Sequence, residues 1–249
     1  MSYPYIEVNN SGVYLLQQGN YAAAMPAFLL ALDVFKRQVA VSAMEEFHGA
    51  AIDYRCNSSS AALPPPPASL YDCPSDQFPR DHSFFHSVSF RTDELDRKTA
   101  TDRLHFHSRA FVLSERLEKD PTAKHRRDGT SGMILFNIGA TLHAQAMRTG
   151  DSQVLRKALL VYKLAQSSAE EWALYSGGKR SLLLMSVVNN LALAHCQLMQ
   201  VEESTTSLRL LRQLVIETDD LQPDDRSAID WNVVLHSESR MEESPAPAA

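Results

Sequence analysis

Apolar and small residues return every three or four positions in three separated stretches, each broken once by a short polar turn. In the first, Ala24, Phe28, Ala31, Leu32 and Phe35 line one face of a helix expected from about Ala22 to Met44. Ahead of it, Val8 to Tyr21 reads as a helix stopped by Gly19, because glycine enters the left-handed conformation at little cost. Pro26 falls early in the following helix, where a missing amide is tolerated only in the first turn, so a start near Met25 or a local kink is expected. The second and third stretches lie between Met133 and Ile216, and the rest of the chain is organised around them. There, Leu135, Phe136, Ile138, Gly139 and Leu142 are answered by Ala158, Tyr162 and Ala165. Likewise the run Asn189 to His195 is answered by Ser204, Leu208 and Leu211.

Three such units call for a test of internal repetition. Gly12 and Ala24 are 12 positions apart, and so are Ala192 and Ser204, whereas Gly139 and Ala158 are 19 apart. The middle unit therefore carries extra residues around Ala146 to Gln153, lengthening a helix or the turn. Small residues at Gly12, Ala24 and Ala31 allow close helix approach, and Phe28 fills the space left between them. In these residues the chain resembles the tetratricopeptide repeat, a helical hairpin of about 34 residues. Gly12, the turn Gly19-Asn20-Tyr21, and Ala24, Phe28 and Ala31 match its pattern. Val8 and Ser11 replace the usual Trp and Leu, and the closing Pro is absent. In the third unit Ser204 and Leu211 stand where alanines are usual. The resemblance covers roughly half the chain. It implies a mainly α fold of helical hairpins in a short right-handed superhelix.

The first unit is separated from the others by a long insertion. Ser58 to Arg80 contains Ser58-Ser59-Ser60 and Pro64-Pro65-Pro66-Pro67, with few large apolar residues to offset an ordering cost of about 1–2 kcal/mol per residue, so a loop of polyproline character is expected. Alternation from Ser83 to Arg91 and from Leu104 to Leu113 predicts two short strands forming an antiparallel pair. The charged segment Leu117 to Thr130 reads as a second loop. Helical repeats admit such insertions because each hairpin needs only its neighbours. Asp224 to His236 reads as a terminal helix with aspartates at its positive end and Ile229, Val233 and His236 on one face, covering the last hairpin. The organisation expected is a first hairpin over 1–48, an insertion over 49–130, two hairpins and the terminal helix over 131–236, and a disordered tail over 237–249.

Composition narrows the role. The net charge is -6, and residues 201–249 hold eleven acidic against four basic side chains, which disfavours nucleic acid or an anionic membrane as a partner. No apolar run approaches the roughly 20 residues that span a bilayer, and the N-terminus has no secretory pattern, so an intracellular site, cytoplasmic or nuclear, is expected. Cys56, Cys73 and Cys196 are widely spaced, favouring reduced thiols over a disulfide framework or a zinc site.

Candidate chemistry is sparse. His105 and His107 share a strand face with His82 and His86 nearby, yet no carboxylate or cysteine completes a ligand spacing. Gly177-Gly178-Lys179-Arg180-Ser181 lacks the first glycine of a phosphate loop and reads as a turn between hairpins. Cys196 beside His195 points about 100 degrees away on a helix, so a buried packing thiol is expected. Trp172 and Trp231 read as core. No catalytic residue, metal or cofactor is expected.

One constellation points to binding. Asn10, Asn137 and Asn190 each lie just before the small residue of the first helix of their unit. The resemblance places that position on the concave groove, where a side-chain amide can hold both N–H and C=O of an extended peptide. The competing reading is that the asparagines only bond neighbouring helices. A carboxylate-clamping groove would also need Lys and Arg, and Leu182 to Ala194 has none. The function expected is a non-catalytic protein–protein interaction scaffold that docks a partner segment, so that replacing all three asparagines with Ala weakens binding. The alternatives are a self-associating structural protein forming a homo-oligomer through hairpin faces and, further off, a metal-dependent enzyme using the histidines.

Overall fold

The computed structural model describes residues 3–49, 85–90, 106–114, 123–174, 179–218, 229 and 232–234. The described residues are mainly helical, with a small antiparallel sheet. In order they form α1 (Pro4–Gln17), α2 (Tyr21–Gly49), β1 (Phe85–Ser89), β2 (Arg109–Leu113), α3 (Ala123–Thr149), α4 (Ser152–Ala173), α5 (Lys179–Gln197) and α6 (Val201–Ile216). Each helix packs on the next, so α1–α2, α3–α4 and α5–α6 are three successive hairpins. Their inward faces and the sheet share one apolar core.

The hairpin turns show why the chain folds back where it does. After α1, Gly19 takes φ +73°, its N–H reaches Leu16 O at 2.9 Å, and the Asn20 N–H reaches Leu15 O at 2.9 Å. That pair of bonds satisfies the last carbonyls of the helix. The same two bonds close α5, from Met199 N to Cys196 O at 3.0 Å and from Gln200 N to His195 O at 2.9 Å. Here the left-handed position, φ 59°, is occupied by methionine, whose side chain is 83% exposed. Its Cβ strain has no packing gain to offset it. Met199→Gly is expected to raise stability by about 0.5–1 kcal/mol in urea unfolding, after allowing for the greater freedom of glycine in the unfolded chain. A lower midpoint would show the turn to be unstrained.

The middle turn explains the longer spacing. Gly150 at φ +73° ends α3, and the Asp151 carboxylate caps α4 by accepting from Gln153 N at 2.8 Å and Val154 N at 3.3 Å. On each side of this turn the helix runs about one turn further from the facing residues Gly139 and Ala158 than in the first hairpin from Gly12 and Ala24, so register is preserved. The extension carries Arg148 back over the Tyr21 ring, 5.1 Å from its centroid, tying the second hairpin to the turn of the first.

Close approach inside the hairpins depends on glycine where the facing residue is aromatic. A Cβ on Gly12 would lie 2.7 Å from Phe28, and one on Gly139 would lie 2.7 Å from Tyr162. Ala192, at the matching place in the third hairpin, is itself fully buried, and the corresponding residue on its partner helix is the smaller Leu208. Gly139→Ala should cost about 1–3 kcal/mol by overpacking against a ring with no room to retreat, measured by thermal unfolding. A neutral result would mean that α3 and α4 can separate slightly. Gly129 against Trp172, also 2.7 Å from an added Cβ, is a third such contact that the spacing of the repeats did not reveal.

Several sequence expectations are corrected. α1 begins at Pro4 rather than Val8, since proline suits a first helical position that needs no amide donor. α2 begins at Tyr21, not near Met25, with Asn20 Oδ1 accepting from Ala23 N at 3.2 Å. Pro26 stands inside it; both Pro26 and Ala22, whose carbonyl loses its donor, are exposed, so water can take that place. Residues 123–130, expected as part of a charged loop, are helical, because the packing of Gly129 on Trp172 and the burial of Thr130 override the polar composition. Cys196 is exposed, not buried, lying in the last turn of α5 past the buried Ala194 and His195. Trp172 is buried as expected. Of the terminal helix, Ile229 and residues 232–234 are described as helical, with Ile229 fully buried. The Pro-rich loop, Gly177 and Gly178, Trp231, Cys56, Cys73, His82, His105 and the tail lie outside the described residues.

Candidate functional site

The antiparallel strand pair forms inside the two stretches expected for it but is shorter, with Phe85 opposite Leu113, Ser89 opposite Arg109, and residues 106–108 outside β2. One edge of β2 faces β1: Phe90 N donates to Ser108 O at 3.0 Å, which sets the even-numbered residues of the second strand toward the first. The odd-numbered residues turn their amides and carbonyls the other way, toward α1, α3 and α5. There the three asparagines meet them.

Asn190 of α5 accepts from His107 N at 2.9 Å and donates to His107 O at 3.3 Å. Asn137 of α3 accepts from Phe111 N at 2.8 Å and donates to Phe111 O at 2.9 Å. Asn10 of α1 accepts from Leu113 N at 2.9 Å and donates to Leu113 O at 2.9 Å. Each side-chain amide thus acts as a neighbouring strand would, closing one donor and one acceptor of an extended backbone. The segment held this way is residues 107–113 of the same chain, running from the third hairpin to the first.

The asparagines are themselves cross-linked. Asn137 Nδ2 also reaches Asn9 Oδ1 at 3.1 Å, Asn9 Nδ2 reaches Phe111 O at 3.1 Å, and Asn190 Nδ2 reaches the Tyr162 hydroxyl at 3.2 Å. Asn232, from the terminal helical residues, donates to Asn189 Oδ1. The single-residue reading of the ladder missed Asn9 and Asn189, although the doublets Asn9-Asn10 and Asn189-Asn190 are plain in the sequence.

Side chains seat the strand as firmly as its backbone. Ala110, Phe111, Val112 and Leu113 are all at most 2% exposed, so both faces of β2 are covered. The Phe111 ring meets Phe136 edge-on at 5.1 Å and Phe85 at 5.4 Å between centroids. On β1, the open edge is blunted by Arg109, which donates to Ser87 O at 2.9 Å and Ser87 Oγ at 3.0 Å, and by Gln17, which donates to Ser89 O at 3.3 Å.

Two histidines lie buried beside the ladder. Ser186 Oγ donates to Leu182 O at 2.7 Å, which leaves it to accept from His107 Nε2 at 3.0 Å. His107 is held down to about 3 by burial and, less, by the Arg109 charge. His143, whose Nε2 donates to Gln197 Oε1 at 3.0 Å, is lowered to about 4 by burial, against the raising effect of that bond. Burial likewise pushes the Tyr162 hydroxyl up, opposed by the Asn190 bond. Both imidazoles are neutral at pH 7. Among the described residues no group of three or more His, Cys, Asp or Glu is placed to hold a metal ion, and no helix is long and apolar enough to cross a membrane.

Comparison with known protein families, with curated proteins and with solved structures gave no match.

Proposed function

We propose that this chain is a non-catalytic interaction scaffold of tetratricopeptide type, its hairpins curving as a short superhelix and its asparagine-lined groove docking an extended segment of a partner protein. The observation behind this reading is that three amides on three successive hairpins grip one extended backbone at His107, Phe111 and Leu113, with the β2 strand as resident occupant. A partner segment would take the place of that strand. No catalytic group, cofactor, nucleic acid or membrane enters this reading.

Replacing all three asparagines is no longer a clean test, because two of them support the buried core. Asn10 is partly buried, at the end of the ladder, and its loss disturbs the fold least. Partners captured on the full chain from cell extract and identified by mass spectrometry should bind Asn10→Ala more weakly while its circular dichroism is unchanged. Equal affinity would reject the groove assignment. A second reading, self-association through hairpin faces, is favoured by Leu160 and Leu164, one turn apart on α4 and 62% and 58% exposed. A stable monomer by light scattering would exclude it.

A further inference from the structure

Resting on the self-association reading, we infer that the outer face of α4 is an isologous interface, on which a second copy of this chain docks antiparallel about a two-fold axis passing between Lys163 and Leu164. The face is one stripe at helical spacing. Arg156 and Lys157 open it, Leu160 and Leu164 stand in the middle, and Glu170 and Glu171 close it, all exposed to solvent. Arg156 and Lys157 lie as far before the axis as Glu171 and Glu170 lie after it. Turning a second α4 end for end therefore sets Glu170 of the second copy against Arg156 and Glu171 of the second copy against Lys157. The symmetry repeats both pairs at the other end. A parallel partner would instead set like charge on like at every one of these places. Between the charged ends, Leu164 meets Leu164 of the second copy and Leu160 lies over Ser167 of the second copy. Lys163 meets its own counterpart beside the axis, where its stem stays on the stripe and its ammonium turns out to water.

Within a single copy this order of charges is unfavourable. Arg156 and Lys157 fall early in α4 and Glu170 and Glu171 in its last turn, so each pair sits toward the end where the helix dipole disfavours its sign. Among the described residues none of the four has an ion-pair partner, and Glu170 accepts from Gln166 Nε2 at 2.7 Å. An antiparallel copy reverses the disadvantage. Its dipole runs the other way, and its cations stand beside the carboxylates. From Arg156 to Glu171 the stripe is about 24 Å long at about 1.5 Å per residue. One helix of that length from each copy buries less than the roughly 1,200–2,000 Å² of a standard interface, so the dimer is reversible, with a Kd of about 1–100 μM.

The test uses two variants of the full chain. Arg156→Glu with Lys157→Glu makes both ends of the stripe acidic, and Glu170→Lys with Glu171→Lys makes both ends basic. The exchanged positions are exposed and each exchange suits the helix's own dipole, so circular dichroism and urea midpoints should hold. Each pair of exchanges shifts the net charge of -6 by four, so both variants stay net negative and bulk attraction does not drive their pairing. In sedimentation over a concentration series, the unaltered chain should form a dimer that added salt weakens. Each variant alone should associate about tenfold or more weakly than the unaltered chain, and an equal mixture of the two should form a heterodimer about tenfold or more tighter than either alone. A mixture no tighter than its components overturns the inference. A dimer that both variants retain overturns it too, while leaving self-association through another face standing. Growth beyond the dimer also overturns it, since a two-fold contact closes on itself. A chain that stays monomeric at every concentration removes the inference and the self-association reading together.

Discussion

Asn137→Ala should destabilise the chain by about 3–5 kcal/mol, more than Asn10→Ala at the end of the ladder. The substitution removes the acceptor for Phe111 N–H and a donor to Phe111 O, both buried. It also removes the donor to Asn9 Oδ1. A buried polar group without a partner costs about 1–3 kcal/mol, and Asn9 Nδ2 can still serve only the carbonyl of Phe111, leaving its N–H unmet. Asn137→Asp should be at least as harmful. It keeps the acceptor for Phe111 N–H but sets a carboxylate oxygen against two oxygens that need donors, in a site with no exposed surface. Asn10→Ala, at a partly buried position, should cost about 1–2 kcal/mol. Urea unfolding of the three variants gives the ranking, and a loss below about 1 kcal/mol for Asn137→Ala would show that water or a shifted strand satisfies Phe111.

Acidification should weaken this protein well before its carboxylates are protonated. His107 and His143 bind a proton near pH 6.5 when unfolded but only near pH 3 and 4 when folded. Between those values the unfolded state holds more protons, so stability rises with pH and falls as pH drops through 6.5. Each fully buried ring then contributes a loss of about 2 kcal/mol between pH 7 and pH 5, or about 4 kcal/mol for the pair, out of a total that for a domain is only about 5–15 kcal/mol. Urea midpoints across this range test the slope, and imidazole carbon shifts by NMR assign it. Two rings that stay neutral below pH 5 are expected; a full set titrating near 6.5 would remove the cause.

The helical hairpins were legible because their signal is local. Small residues at Gly12, Gly139 and Ala192 are each followed by a ring or leucine that faces them, at the same interval in the first and third hairpins and two helical turns further on in the second, and the turn at Gly19 declares itself by residue type. The strand pair was legible for the same reason. The asparagines were visible as a repeated position, and so was the property of their amides that matters, the ability to hold both sides of a peptide backbone. What they hold was not visible. The bond from Asn10 to Leu113 joins residues 103 positions apart, and no periodicity connects a helix to a strand in a distant insertion. One clue was overlooked: Ala110-Phe111-Val112-Leu113 is an unbroken apolar run, which marks a strand covered on both faces rather than one facing water. The starts of α2 and α3 were misplaced because capping by Asn20 and packing of Gly129 on Trp172 outweighed the proline and the charged composition.

Stacked hairpins ordinarily behave as a row of dominoes, each answering only to the next, and such a row can fray from either end. The strand that crosses α5, α3 and α1 changes that arithmetic, since it touches all three units and cannot seat until every one is in place. Folding should therefore wait on an event of long sequence separation and be slow for a helical protein. Unfolding should be all or none, with no stage in which one hairpin has melted and its neighbours remain.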